Sequence, residues 1–267
     1  MDIASERLPL KVPFRISGHV FDSVELVVVT LQDGALRGRG EAAGVYYFQE
    51  GAAEMAAALE ATRPVVEAGV RLEDVSELLP SGGARNALDC ALWDLEAQRS
   101  CWPVWMLAGV GEPRPLVTTF TLSAETPADT ANAARAHRGA RALKLKLTGE
   151  DPDLDAARVR AARDARPDVW LSVDGNQGFT PEGLARLMPA LQSAGVALIE
   201  QPFPRGRDDW MVELNSPIAT AADESVQNLA GTSLDGDMVF SDGFKSQVAT
   251  ASGTPDSGIT LKLNVGV

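Results

Sequence analysis

The sequence predicts an α/β protein, with an α+β unit first and a parallel sheet of strands and helices after it. Three observations carry that reading. The first hundred or so residues pass from β-rich to helical composition. Beyond them, short apolar runs alternate with capped helical stretches. Asp174, Glu200 and Asp223 each close such a run at intervals of 26 and 23 residues, the length of one strand plus one crossover helix.

The elements follow in order. Val24–Leu31 is β-branched and apolar, and Gln32–Ala35 is a strong hairpin turn into Leu36–Ala42, so residues 1 to about 45 read as a meander. Ala52–Ala68 and Ala84–Arg99 have apolar residues at helical spacing. Gly109–Pro115 reads as a linker. Val117–Leu122 is then a strand, Thr126-Pro127 opens a helix, and Ala142–Leu147 is the next strand. Helices over Asp153–Ala165, from Thr180-Pro181-Glu182 and over Arg207–Asn215 precede strands Val169–Asp174, Val196–Glu200 and Ile218–Asp223. Five strands with intervening helices fit an open doubly wound sheet or most of a (β/α)8 barrel. From Gly231 on, only turns and short β segments are read, Met238–Phe240 and Ile259–Leu263 among them. Three further βα units do not fit there.

At 267 residues the chain can build a real hydrophobic core. Its 24 basic against 37 acidic residues give a net charge of −13, which argues against non-specific nucleic-acid binding. Cys90 and Cys101 suggest neither a zinc site nor a disulfide framework, and packed, reduced thiols are expected. Met1–Arg7 shows no basic region followed by an apolar run, and no apolar stretch approaches the ~20 residues of a membrane span. A cytoplasmic location without membrane contact is the expectation.

Three strand-end carboxylates brought to one sheet edge would repel one another unless a hard divalent cation neutralised them. All-oxygen ligation favours magnesium, with manganese as the second choice. Helix capping is the competing reading for each acid. Lys144 and Lys146, two apart on a strand, share a face. Facing a barrel interior, their mutual repulsion would depress an ammonium pKa from ~10.4 until one amine served as a base. A pair of exposed lysines on an edge strand fits the spacing equally well. Gly38-Arg39-Gly40-Glu41 has no helix in register after it and is no phosphate loop. His19 and His137 are isolated. Arg15 fits a mobile loop reaching a substrate carboxylate, or a plain surface site.

Together Lys144-Leu145-Lys146, Asp174-Gly175-Asn176, Ile199-Glu200-Gln201-Pro202 and Ala222-Asp223-Glu224-Ser225 resemble the enolase superfamily. The likeness is to its muconate-lactonising subgroup, most closely dipeptide epimerases of the L-Ala-D/L-Glu epimerase type. Leu8–Ser17 and Ala87–Leu95 are similar to that family's capping domain. The resemblance implies a capping domain, here over 1–112, on a (β/α)7β-type barrel, here over 113–240, with a return segment over 241–267; the chain departs from it in that the barrel reads as shortened after the fifth strand. It implies Mg²⁺, or Mn²⁺, on Asp174, Glu200 and Asp223. Lys146 would then remove a proton α to a carboxylate, and Lys144 would tune it.

An epimerase of this kind carries a second lysine on the opposite face, and the only local match in the tail is Lys262 in Thr260–Leu263. Ser233–Asp237 resembles the family's last barrel strand, which would place Asp235 on a dipeptide ammonium with Ser233 in place of its usual acidic partner. The expected activity is a Mg-dependent epimerase or racemase acting on a dipeptide or N-acylamino acid through an enediolate. The alternatives are a one-base cycloisomerase or syn-elimination enzyme, of the muconate cycloisomerase or o-succinylbenzoate synthase type, and a catalytically impaired relative. The expected partners are a small carboxylate substrate and, through open sheet edges, a second copy of the chain.

Overall fold

The computed structural model describes residues 1–44, 46–225, 249–252 and 260–263. The chain forms two compact units, one of Met1–Pro13 with Phe21–Pro115, the other of Phe14–Val20 with the chain from Leu116 onward.

In the first unit β1 (Asp2–Ile16), β2 (His19–Asp33) and β3 (Leu36–Ala43) form a sheet in sequence order, with β1 running on into the second unit's Phe14–Val20 segment. The predicted turn sets the antiparallel register of β2 and β3, with Leu31 opposite Gly38 and Val29 opposite Gly40. Helices α1 (Ala52–Gly69), α2 (Val75–Leu78), α3 (Gly83–Ser100) and α4 (Val104–Leu107) follow. The glycines of β3 are spacers rather than a phosphate loop. A Cβ on Gly38 or Gly40 would stand 2.1 Å from a main-chain oxygen of α3, that of Ala91 or Ala87 respectively. Their absence lets Leu88, Ala91, Leu92 and Leu95 reach Val27, Val29 and Leu31 in one core.

Two readings change here. Cys90 and Cys101 are free thiols, as expected, but exposed rather than packed. Helix α4 was not anticipated, because four residues are too few to show a period.

In the second unit β4 (Thr119–Leu122), α5 (Pro127–Ala136), β5 (Ala142–Lys146), α6 (Pro152–Ala165), β6 (Trp170–Asp174), α7 (Pro181–Ser193), β7 (Leu198–Glu200), α8 (Asp208–Glu213) and β8 (Ala219–Ala221) alternate. The five strands lie parallel in sequence order. Each of the longer helices starts where the sequence caps it. Thr126, Asp151 and Thr180 side chains accept hydrogen bonds from first-turn amides, and a proline opens each helix. Alternation along β5 turns Leu143 and Leu145 into a core with Val159, Leu171, Val173, Leu184, Leu187 and Ile199, each completely or almost completely buried. Burying each such side chain is worth about 1.5–3 kcal/mol. Lys144 and Lys146 thereby project from the other face of the strand.

A ribbon of β9 (Ala249–Ser252) and β10 (Thr260–Leu263) pairs antiparallel, with Lys262 opposite Thr250. β9 was not foreseen. Met238–Phe240 and Asp235 lie outside the described residues.

Candidate active site

Parallel pairing puts Lys146 beside Asp174, and Asp174 beside Glu200. Asp174 and Glu200 are the last residues of their strands, and Asp223 comes two residues after β8. The sheet register thus brings together residues as far apart in the chain as Lys144 and Glu200, 56 positions.

Asp174 is fully buried, and its Oδ2 accepts from Lys146 Nζ at 2.5 Å while standing 3.3 Å from Lys144 Nζ. Lys144 Nζ also donates to both Glu200 oxygens, at 2.9 and 3.1 Å. The Asp174 Oδ1 atom accepts the Asn176 amide at 2.9 Å. Asn176 is itself buried in the left-handed region at φ +40° and donates from Nδ2 to Glu224 Oε1 at 3.1 Å.

Carboxylates, rather than the other lysine, are the partners of each lysine. Burial alone would lower the Lys144 ammonium, but the Glu200 and Asp174 carboxylates outweigh it and hold its pKa above the ordinary value. Repulsion shows among the acids instead. Burial first, then Asp174 and more weakly Asp223, push Glu200 up to about 7 against the pull of Lys144. Burial likewise raises Glu224.

This donor set fits a hard cation. It is made of oxygens, two of its acids are largely buried, and they gather positive charge wherever it is offered, here from two ammonium groups. Among the described residues no three candidate ligands stand close enough to hold one ion as placed. The exposed Asp223 would have to close on Glu200, and the lysines would have to release oxygens they now share.

Arg15 falls apart from this cluster. It lies in β1, one residue before its end, rather than riding a mobile loop: its amide donates to Ser123 Oγ at 2.7 Å, and its half-exposed guanidinium stands 3.7 Å from Glu125. It borders a cavity of about 540 Å³ with Thr148, Glu150 and Arg158. His137 stacks on Phe120 with ring centroids 5.0 Å apart, as an isolated structural histidine would. No helix among the described residues is long and apolar enough to cross a membrane.

Sequence reasoning assigned no role to Gln201, Asn176 or Glu224, although all three lie in the motifs that carry the resemblance. It also missed the buried Asp155–Arg158 pair, whose bonds at 2.6–3.4 Å tie Thr148 and Gly149 after β5 to Ala124 and Glu125 after β4. An Asp and an Arg three apart in the opening turns of a helix were the only signal available.

Comparison with known proteins agrees with this architecture. Residues 1–109 match the mandelate racemase/muconate lactonizing enzyme N-terminal domain, and residues 127–233 the enolase C-terminal domain-like family. The chain is 37% identical to L-Ala-D/L-Glu epimerase of Escherichia coli over 84% of its own length and 69% of that enzyme's. It is 36% identical to N-acetyl-D-glutamate racemase of a Pseudoalteromonas species over 58% of its length and 48% of the relative's. It therefore spans from just under half to just over two thirds of these relatives' length. Among solved structures it is similar to an Agrobacterium tumefaciens enolase family member with bound sodium and L-Ala-L-Glu, with TM-score 0.81 and 31% identity over 87% of this chain and 70% of that one. It is also similar to the Methylococcus capsulatus dipeptide epimerase complexed with Mg and L-Arg-D-Lys, with TM-score 0.76 and 31% identity over 86% of this chain and 69% of that one. With both halves of the chain matched in this way, the protein belongs to the enolase superfamily, within the mandelate racemase/muconate lactonizing enzyme group.

Proposed function

We propose that this chain is an isomerase that removes the proton α to a carboxylate, acting as a Mg²⁺-dependent epimerase or racemase on a dipeptide or N-acylamino acid. The observation that carries the reading is the register-aligned row Lys146, Asp174, Glu200, which sets an amine against buried carboxylates at one sheet edge.

Asp174, Glu200 and Asp223 would hold the cation, which when bound supplies positive charge against the dianion that develops on the substrate carboxylate. The remaining work falls to the chain. Lys146 Nζ takes the α proton, and the electron pair left on carbon flows into the adjacent carboxylate. Returning a proton to the opposite face inverts the centre, and returning it to the same face restores the starting isomer. Lys144, bonded to Glu200 and close to Asp174, sets the charge around that amine. Arg15, which borders a cavity of about 540 Å³, stays the candidate for a distal carboxylate of the substrate. Asp235 stays the candidate for the substrate ammonium.

Inversion needs a second acid or base, and Lys262, in the antiparallel ribbon, is the candidate for it. A one-base reaction such as cycloisomerisation or syn-elimination is the second reading.

The test is stereochemical. L-Ala-L-Glu incubated with enzyme and Mg²⁺ should yield L-Ala-D-Glu on chiral chromatography, and Lys146→Ala should lose at least about a hundredfold in rate, the lower range for a general base. Absence of inversion with dipeptides and with N-acylamino acids alike would remove the epimerase reading.

A further inference from the structure

Gln201 has no part in the chemistry above, yet it is completely buried and its amide uses every bonding position it has. Its Oε1 accepts from the amides of Asp223 at 2.8 Å and Ser225 at 3.1 Å. Its Nε2 donates to Phe203 O and Ser225 Oγ, both at 2.9 Å.

The main chain of Gln201 is as fully engaged. Its amide donates to Ala221 O at 2.8 Å, and its carbonyl accepts from the Gln177 amide at 2.9 Å. The loops that follow β6, β7 and β8 therefore meet at one residue, and those loops follow or carry Asp174, Glu200 and Asp223. β8 stops at Ala221, so no strand ladder reaches Asp223. The Gln201 side chain continues the ladder by one step, its amide oxygen standing where a strand would offer a carbonyl. Gln201 also holds φ +31°, a left-handed conformation that glycine would adopt without strain. Glycine there would forfeit all four side-chain bonds.

We infer that Gln201 is a positioning residue that fixes the main chain of Asp223, and through it the third carboxylate of the cation site. The inference rests on the proposed cation reading. Asp223 is exposed, so the approach of its carboxylate to Glu200 starts from the main-chain position that this clamp sets. Groups one step removed from a metal typically change its affinity 10–100-fold when altered.

The experiment is a double-mutant cycle on the full chain, read as Mn²⁺ affinity by electron paramagnetic resonance of the free ion. Gln201→Asn, whose amide stops one carbon short, should weaken Mn²⁺ at least tenfold. In an Asp223→Ala background the same change should cost less than twofold, because the carboxylate it positions is gone. Equal losses in both backgrounds would show a general structural role and overturn the inference, as would unchanged affinity in Gln201→Asn. Should Gln201→Asn fail to fold, Ser225→Ala removes one bond of the clamp and supports the same cycle, with a smaller loss expected in the presence of Asp223 and none in its absence. Wild-type protein that does not bind Mn²⁺ would defeat the cation reading together with this one. Binding that is insensitive to the clamp would defeat this one alone.

Discussion

Glu200 keeps its proton up to about pH 7 without a cation, whereas a free glutamate loses it near 4.5. Between those values the unfolded chain has released a proton that the folded chain still holds, so stability of the cation-free protein falls as pH rises from 4.5 to 7. A divalent cation needs the ionised carboxylate and binds better across the same interval. Saturating Mg²⁺ should accordingly raise the melting temperature more at pH 8 than at pH 5.5 in scanning calorimetry, and Glu200→Gln should abolish the difference. Equal shifts at the two pH values would contradict this electrostatic account. The acids themselves were legible in the sequence because each ends an apolar run, and that pattern survives without coordinates. The carboxylate partners of Lys144 were not legible, because they lie 30 and 56 residues away and only the β5–β6–β7 register brings them near. Gln201 was invisible as a clamp, since a side chain bonding across two loops leaves no periodic trace.

At the scale of elements, two contacts decide how well the site is held. The Asp155–Arg158 pair at 2.7 Å is almost entirely buried and ties the turn after Lys146 to the turn after β4. Arg158→Ala would strand Asp155 as an uncompensated buried charge, at a cost of about 3–5 kcal/mol in urea unfolding. A loss below about 1 kcal/mol would mean that the pair is solvated in the native protein. In the first unit, Gly40→Ala would drive a methyl group into the α3 backbone, 2.1 Å from Ala87 O and 2.5 Å from Ala91 N. It should cost about 1–3 kcal/mol or more. Gly111→Ala, with open space around its new Cβ, should be nearly neutral by the same measurement. Alternating strands, caps and helices were readable because each has a local signature: β-branched runs, Thr-Pro starts, 3.6-residue spacing. The role of Gly38 and Gly40 was not, because it depends on a helix some fifty residues later in the chain.

At the scale of the whole molecule, the sequence separates a β-then-helix segment from an alternating one, and the structure forms two compact units. The Phe14–Val20 segment belongs with the later chain, which no local composition could reveal. The family follows from matches over both halves, while the activity is a proposal about what the Lys146–Asp174–Glu200 row does. Proton transfer at carbon tests it most directly, because exchange requires only one base and a stabilised carbanion and does not depend on which stereochemical course the reaction takes. L-Ala-L-Glu in deuterium oxide with Mg²⁺ and enzyme should lose its glutamyl α-proton signal in the proton NMR spectrum, and either EDTA or Lys146→Ala should preserve it. Retention of the α-proton in every dipeptide and N-acylamino acid tried, or exchange undiminished in Lys146→Ala, would contradict the assignment of this row as an enediolate-forming site.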